Sequence, residues 1–209
     1  MSIKDKVKVG LFGIGLDTYW DQFAGLRDNL QKYQQLIRGK IENYGAEVID
    51  AGLVDNPLKA ADAAELLKAR DVELVFLYIS TYALSSTVLP VAQEVKVPVV
   101  LLNMQPVPQL DYRKFNELRD RGKMTGIWLE HCQSCSVPEI SGVFSRSGII
   151  YDLVTGHLND NEAWTEIEGW TVAARVAKSI RTNRMGILGH YYGGMLDVYT
   201  DLARQSAVF

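Results

Sequence analysis

The chain has 209 residues, 47% of them hydrophobic and 22% charged, with a formal net charge of −3. That length and balance suit one large globular unit or a domain and a half, and they exclude general disorder, a collagen-like repeat and a coiled coil. A slightly acidic chain without a basic stripe is also a poor binder of nucleic acid or an anionic membrane, so small molecules and other protein chains are the expected partners.

No segment reaches the roughly 18 to 20 consecutive apolar residues of a membrane helix, and the charged start of the chain is not followed by a signal-peptide core. The only cysteines are Cys132 and Cys135, too few for a disulfide framework. Together these features predict a cytoplasmic protein.

Residues 7–14 are apolar and β-branched and run into Gly13-Ile14-Gly15, the pattern of a buried strand. From Tyr19 the period changes. Phe23, Leu26, Leu30, Tyr33, Ile37, Ile41 and Tyr44 recur every three or four residues and predict one long helix, with Gly45 at its C-terminal cap and a short strand over 46–51. Asn56 and Pro57 then suit the cap and first position of a helix that buries Leu58, Ala61, Ala64 and Leu67. Apolar strands over 72–79 and 97–104 enclose a helix over 83–95. Strands that are apolar throughout, alternating with helices, mean a doubly wound parallel sheet, a Rossmann- or flavodoxin-like three-layer α/β sandwich.

Beyond Pro108 the pattern loosens. A charged helix is expected over 111–121, an irregular stretch over 124–147, a strand over 149–158, and a helix over 162–180 through Trp164, Ile167, Trp170, Ala174 and Ala177. A strand over 185–189 and a helix from about Met195 follow. These elements divide into an N-terminal α/β domain, 1–150, and the first part of a second, 151–209. The apolar ending Ala207-Val208-Phe209 falls where a strand should begin, and so reads as the front part of a longer polypeptide.

Open parallel sheets bind ligands where loops gather at the carboxyl ends of the strands. Four polar clusters fall there: Asp17-Thr18-Tyr19-Trp20, Ser80-Thr81-Tyr82, Asn103 with Gln105, and His190-Tyr191-Tyr192. Aromatic faces beside hydroxyl and amide groups suit a sugar ring, which is apolar on its C–H faces and polar around its edge. Gly13-Ile14-Gly15 does not extend to a dinucleotide loop, because the third glycine position is Thr18, and neither a phosphate loop nor a nucleophile elbow is present. Cys132-Gln133-Ser134-Cys135 has the spacing of a redox pair or half a zinc site; with no second ligand pair following, two reduced thiols near a loop are expected. His157 and His190 each end an expected strand.

Several of these segments together resemble the L-arabinose isomerase family, in its N-terminal half. Gly13 to Tyr19 is similar to that family's sugar-contacting loop, with Tyr19 matching its tyrosine, and Leu129-Glu130-His131-Cys132-Gln133 is similar to a segment that reaches a neighbouring subunit's active site. Val154-Thr155-Gly156-His157-Leu158-Asn159-Asp160 resembles a V-x-G-H-x-x-D segment, and Met195, Val198, Thr200 and Asp201 keep register with a later turn.

The resemblance implies an aldose–ketose isomerase, a homo-oligomer (trimer or hexamer) acting on a monosaccharide with a manganese ion (Mn2+). In that family the metal ligands and acid–base glutamates lie in the second half, so the resemblance assigns no catalytic or metal-binding residue here. This chain would shape the substrate pocket and subunit contacts, through Asp17, Tyr19, Trp20, Tyr82, Gln133 and His190. A non-catalytic sugar-binding or sensory module of the same α/β type is the alternative.

Overall fold

The computed structural model describes residues 6–182, 184, 186, 188–189 and 191–208. Strands β1 (Lys8–Ile14), β2 (Glu47–Val54), β3 (Leu74–Tyr78), β4 (Val99–Gln105) and β5 (Tyr151–His157) pair in the order β2-β1-β3-β4-β5, every neighbour parallel. Successive strand residues face opposite sides, and here both sides are apolar. Leu11, Phe76, Val100 and Val154 pack on one face against Ile37 and Ile41 of α1 (Leu26–Asn43) and Trp164 and Ile167 of α7 (Asn161–Thr182). Phe12, Val75, Leu77 and Leu101 pack on the other, against Leu67 of α2 (Pro57–Ala69), Val88 and Val91 of α3 (Ser85–Val95), and Ile140 and Phe144 of α6 (Gln133–Arg146). The layering is the expected Rossmann- or flavodoxin-like sandwich.

Several boundaries differ from expectation. The helix expected from Tyr19 starts at Leu26, because Gly25 takes a left-handed φ of 82°, while Tyr19 and Phe23 pack from the preceding loop. Strand β2 runs on to Val54 through Gly52, whose φ of 74° accompanies a register shift against β1. In α2 the cap is as expected, with Asn56 Oδ1 accepting from the Lys59 N–H at 3.0 Å. Its inward face is rotated, however: Leu58 is 79% exposed, and Ala60, Ala63, Ala64 and Leu67 are buried.

Residues 111–147 are more helical than their sequence suggests. Helix α4 (Tyr112–Glu117) and α5 (Arg121–Glu130) are capped by Asp111 and Asp120, and α6 continues through Pro138. The proline deprives only the Ser134 carbonyl of its helical partner, and Ser134 is exposed.

Strand β5 pairs with β4 over seven residues and α7 packs on the same sheet, so residues 151–182 complete the first sandwich, and the boundary expected at residue 150 does not separate them from it. After them, β6 (Tyr191–Tyr192) and β7 (Met195–Tyr199) form an antiparallel hairpin where a helix was expected from Met195. Its two-residue Gly193-Gly194 turn is the local cause, with Gly194 at φ 101°. The strand expected over 185–189 falls partly outside the described residues. The last described segment, α8 (Leu202–Val208), is helical where a strand was expected to begin.

Phe76 is fully buried at the centre of the sheet. Phe76→Ala is expected to lower stability by about 3–5 kcal/mol, and Leu58→Ala by less than about 0.5 kcal/mol, both measured by urea unfolding.

Candidate functional site

The sheet steps from β1 one way to β2 and the other way to β3, so the loops after β1 and β3 diverge and leave a crevice at their carboxyl ends. The β1 loop is pinned to β2. Gly15 N–H donates to Val54 O at 3.1 Å and Asp17 N–H to Asp55 O at 3.2 Å, while Trp20 Nε1–H donates to Asp55 Oδ2 at 2.8 Å. The Asp55 side chain is wholly buried and also accepts from Lys59 Nζ at 2.6 Å and Asn56 Nδ2 at 3.0 Å. The Trp20 ring lies 2.8 Å from where a Cβ on Gly15 would stand, so the glycine is required for this close approach. Tyr19 in turn meets Trp20 and Phe23 edge-on, at ring separations of 6.4 and 6.0 Å.

The loop after β3 is tied beneath the α5–α6 junction. The buried Ser80 hydroxyl donates to the Ile14 carbonyl, joining the ends of β3 and β1. Thr81 Oγ1–H donates to Leu129 O at 2.7 Å, and the Ala83 N–H donates to Ser136 Oγ at 3.0 Å. Gln133 Nε2 donates to Ser80 O at 3.1 Å and Glu130 O at 2.6 Å. This roof brings Cys132 and Tyr82 close to Tyr19. Burial foremost, then the proximity of Cys132 and Tyr82, raises the Tyr19 hydroxyl above its ordinary value. Farther along the rim Ser134 Oγ–H donates to Asn103 Oδ1 at 3.3 Å, and Asn103 Nδ2 donates to Thr155 Oγ1 at 3.3 Å. His157 ends β5 opposite Gln105, its Nδ1 accepting from the Asn159 N–H at 3.2 Å.

Five of the six expected site residues lie at or under this rim. Asp17 is exposed, Tyr19 and Trp20 are half-buried, and Tyr82 is 40% exposed. Gln133 corrects the expectation of a ligand contact: it is 0% exposed and its amide nitrogen serves two backbone carbonyls, so it braces the roof from within. His190 lies outside the described residues.

Two residues carry more of the site than sequence reasoning gave them. Asp55 anchors Trp20, and Glu130 accepts from the Tyr33 hydroxyl and from Asn29 Nδ2, the latter at 3.1 Å. The Asp-Asn-Pro capping sequence marked the neighbourhood of Asp55, but nothing local marks partners of Glu130 that lie 97 and 101 residues away. Phe23, Leu26, Asn29, Ile127 and Glu130 line a cavity of about 550 Å³ beside the β1 loop. A larger groove, about 1020 Å³, follows the open edge of β2 near the amino ends of the strands, away from the rim, where Arg38 pairs with Glu42 and Arg70 with Glu47.

The manganese ion implied by the resemblance does not fit the residues seen here. Among the described residues no group of three or more His, Cys, Asp or Glu side chains could hold a metal ion. The Glu130 carboxylate is already engaged by Tyr33 and Asn29. Also among the described residues, no helix is long and apolar enough to cross a membrane. Fold and rim together define an α/β protein of the flavodoxin-like strand order, with an aromatic crevice between β1 and β3. No known family model matches the chain, and no curated protein matches it either.

Two predictions follow from this geometry. Asp55→Ala removes the acceptor of three donors and is expected to cost about 1–3 kcal/mol while freeing the Trp20 indole, read as a change in tryptophan emission together with urea unfolding. The second concerns alkali. Burial and the Glu130 carboxylate hold the Tyr33 hydroxyl above its ordinary value of 10.0, and burial does the same to Tyr78. Raised values in the folded state mean that this contribution to stability is complete below pH 10 and is lost as pH rises above it. Among the described residues the Tyr78 hydroxyl makes no hydrogen bond of good geometry, although the buried Gln133 side chain lies near enough to act on it. Tyr78→Phe should therefore change stability at neutral pH by no more than about 1 kcal/mol and should flatten the alkaline fall, whereas Tyr33→Phe should cost about 1–2 kcal/mol by leaving Glu130 short of a donor. Urea unfolding at neutral pH and above pH 10 separates the two variants.

Proposed function

We propose that the rim between β1 and β3 is one wall of a binding pocket for a monosaccharide, and that the chain supplies this wall and subunit contacts to an aldose–ketose isomerase. The observation that carries the reading is the convergence of Tyr19 and Trp20, from the loop after β1, with Tyr82, from the loop after β3. Aromatic faces take the C–H patches of a sugar ring, and the tyrosine hydroxyls and the exposed Asp17 meet its hydroxyl groups.

The residues of this chain bind, orient and exclude water in this reading; they do not move the substrate's protons. Trp20 is fixed through Asp55, and the backbone that carries Tyr82 is held beside Thr81 in the braced roof, so much of the aromatic wall is set before ligand arrives. The resemblance supplies the reaction type, and the metal and acid–base groups of such a reaction would come from elsewhere in the assembled enzyme.

Titration of the chain with aldopentoses, aldohexoses and their ketoses, followed by tryptophan emission, tests this. A saturable change is expected for at least one sugar, weakened about tenfold or more, equivalent to about 1.4 kcal/mol, by Tyr19→Ala or Tyr82→Ala. Tyr112→Ala, an exposed aromatic on α4, should leave it unchanged. Absence of saturable binding to every sugar would refute the pocket. Aldose–ketose conversion by these residues alone would refute a role confined to the wall.

A further inference from the structure

The pair Cys132 and Cys135 has no part in the sugar reading, yet its surroundings are specific. Cys132 occupies the N-cap position of α6 without a side-chain capping bond, and Cys135 lies in the first turn, where the Cys135 N–H donates to the Cys132 carbonyl at 3.0 Å. Such a turn keeps Cα atoms three residues apart within about 7 Å, and disulfides span Cα separations of about 4.4–6.8 Å. The two thiols differ in access: Cys135 is exposed, whereas Cys132 is 4% exposed. Their side chains also interact, Cys135 being one of the groups that act on the Cys132 thiol.

Only weak contacts hold the Cys132 sulfur where it is. It faces Leu129 O at 3.4 Å and Thr81 Oγ1 at 4.0 Å, and thiols are weak donors and acceptors. Burial pushes this thiol up to about 11, opposed in part by the Tyr82 backbone and the Thr81 hydroxyl that face it. In the folded chain Cys132 is thus a protonated, screened thiol, and Cys135 is the one a solution reagent meets first.

We infer that Cys132 and Cys135 are a redox-active dithiol that closes to a reversible disulfide by exchange with a low-molecular-weight disulfide of the glutathione class. The Cys135 thiolate attacks one sulfur of oxidised glutathione, breaking that S–S bond, and one glutathione leaves as a thiolate. Cys132 then gives up its proton and its sulfur attacks the Cys135 sulfur of the mixed disulfide, releasing the second glutathione. The two protein thiols lose two electrons and two protons, and one glutathione disulfide becomes two thiols.

Closure has a structural consequence at the rim. Cys132 belongs to a small core with Leu26, Leu30, Leu53 and Leu129, and Tyr19, Trp20 and Phe23 rest against that core. Drawing the Cys132 sulfur toward Cys135 removes it from Thr81 and Leu129 and loosens the support under the aromatic wall. The inference concerns the dithiol itself and holds whatever ligand the wall receives.

Incubating the reduced chain with oxidised glutathione, then measuring intact mass and alkylating residual thiols in denaturant, tests it. The native chain should lose the mass of two hydrogens and both alkylatable thiols, and dithiothreitol should restore them. Cys132→Ala should stop at a single glutathione adduct on Cys135, and Cys135→Ser should take up no glutathione. Oxidation of the native chain should also shift tryptophan emission, and Trp20→Phe should abolish the shift. A stable single glutathione adduct on the native chain, a disulfide between two chains, or no reaction would each overturn the dithiol. An unchanged emission spectrum on disulfide closure would overturn its coupling to the rim. The native-chain mass decides the first point even if Cys132→Ala fails to fold.

Discussion

Parallel pairing of β1 with β3 brings Ile14 and Ser80 to the same end of the sheet, where the Ser80 hydroxyl donates to the Ile14 carbonyl. That bond is buried, so neither group has water as an alternative partner, and losing it would leave both unsatisfied. The rest of the rim builds outward from this point. The chain after β1 turns toward β2 and is caught by Asp55. The chain after β3 turns the other way and is caught by Thr81, Gln133 and Ser136 under the α5–α6 junction. Because both strands are apolar on both faces, neither can rotate or slip without exposing one of the two cores.

The roof and the wall are therefore coupled. Residues 129–136 touch the β3 loop through hydrogen bonds between side chains and backbone, and touch the β1 loop through the core that includes Leu129 and Cys132. Glu130 extends the coupling to α1 by accepting from Tyr33 and Asn29. Cys132 thus packs in the same small core as Tyr19 and Trp20, and Glu130 bonds Tyr33, which rests against that core. This arrangement suits a pocket wall whose aromatic groups are held in place from behind.

Some parts of the rim were legible and others were not, for identifiable reasons. Asn56 and Pro57 announce a helix start because capping is a local interaction three residues long, and the structure shows that cap. Tyr19 and Phe23 mimic the period of α1 although they precede it, because a loop packed on a helix can repeat the helix's spacing; Gly25 is what separates them. Leu58 illustrates the opposite error. Its apolar character suggested burial, but the phase of α2 is set by contacts with β2 and α3, which bury the alanines. Gln133 was recognised as a residue of interest, while its role as an internal brace depends on the carbonyls of Ser80 and Glu130, which no local pattern records.

Taken alone, the order of residues was sufficient for the class of fold, since continuous apolar strands alternating with helices have few arrangements other than a parallel sheet covered on both sides. It was sufficient also for the general location of the rim, because loops after such strands gather at one end. Only the folded chain decided that residues 151–182 join the first sheet, that Asp55 and Glu130 anchor the wall, and that Cys132 is buried while Cys135 is exposed. Those outcomes rest on contacts between residues far apart in the chain, and such contacts leave no periodicity or spacing for a single sequence to reveal.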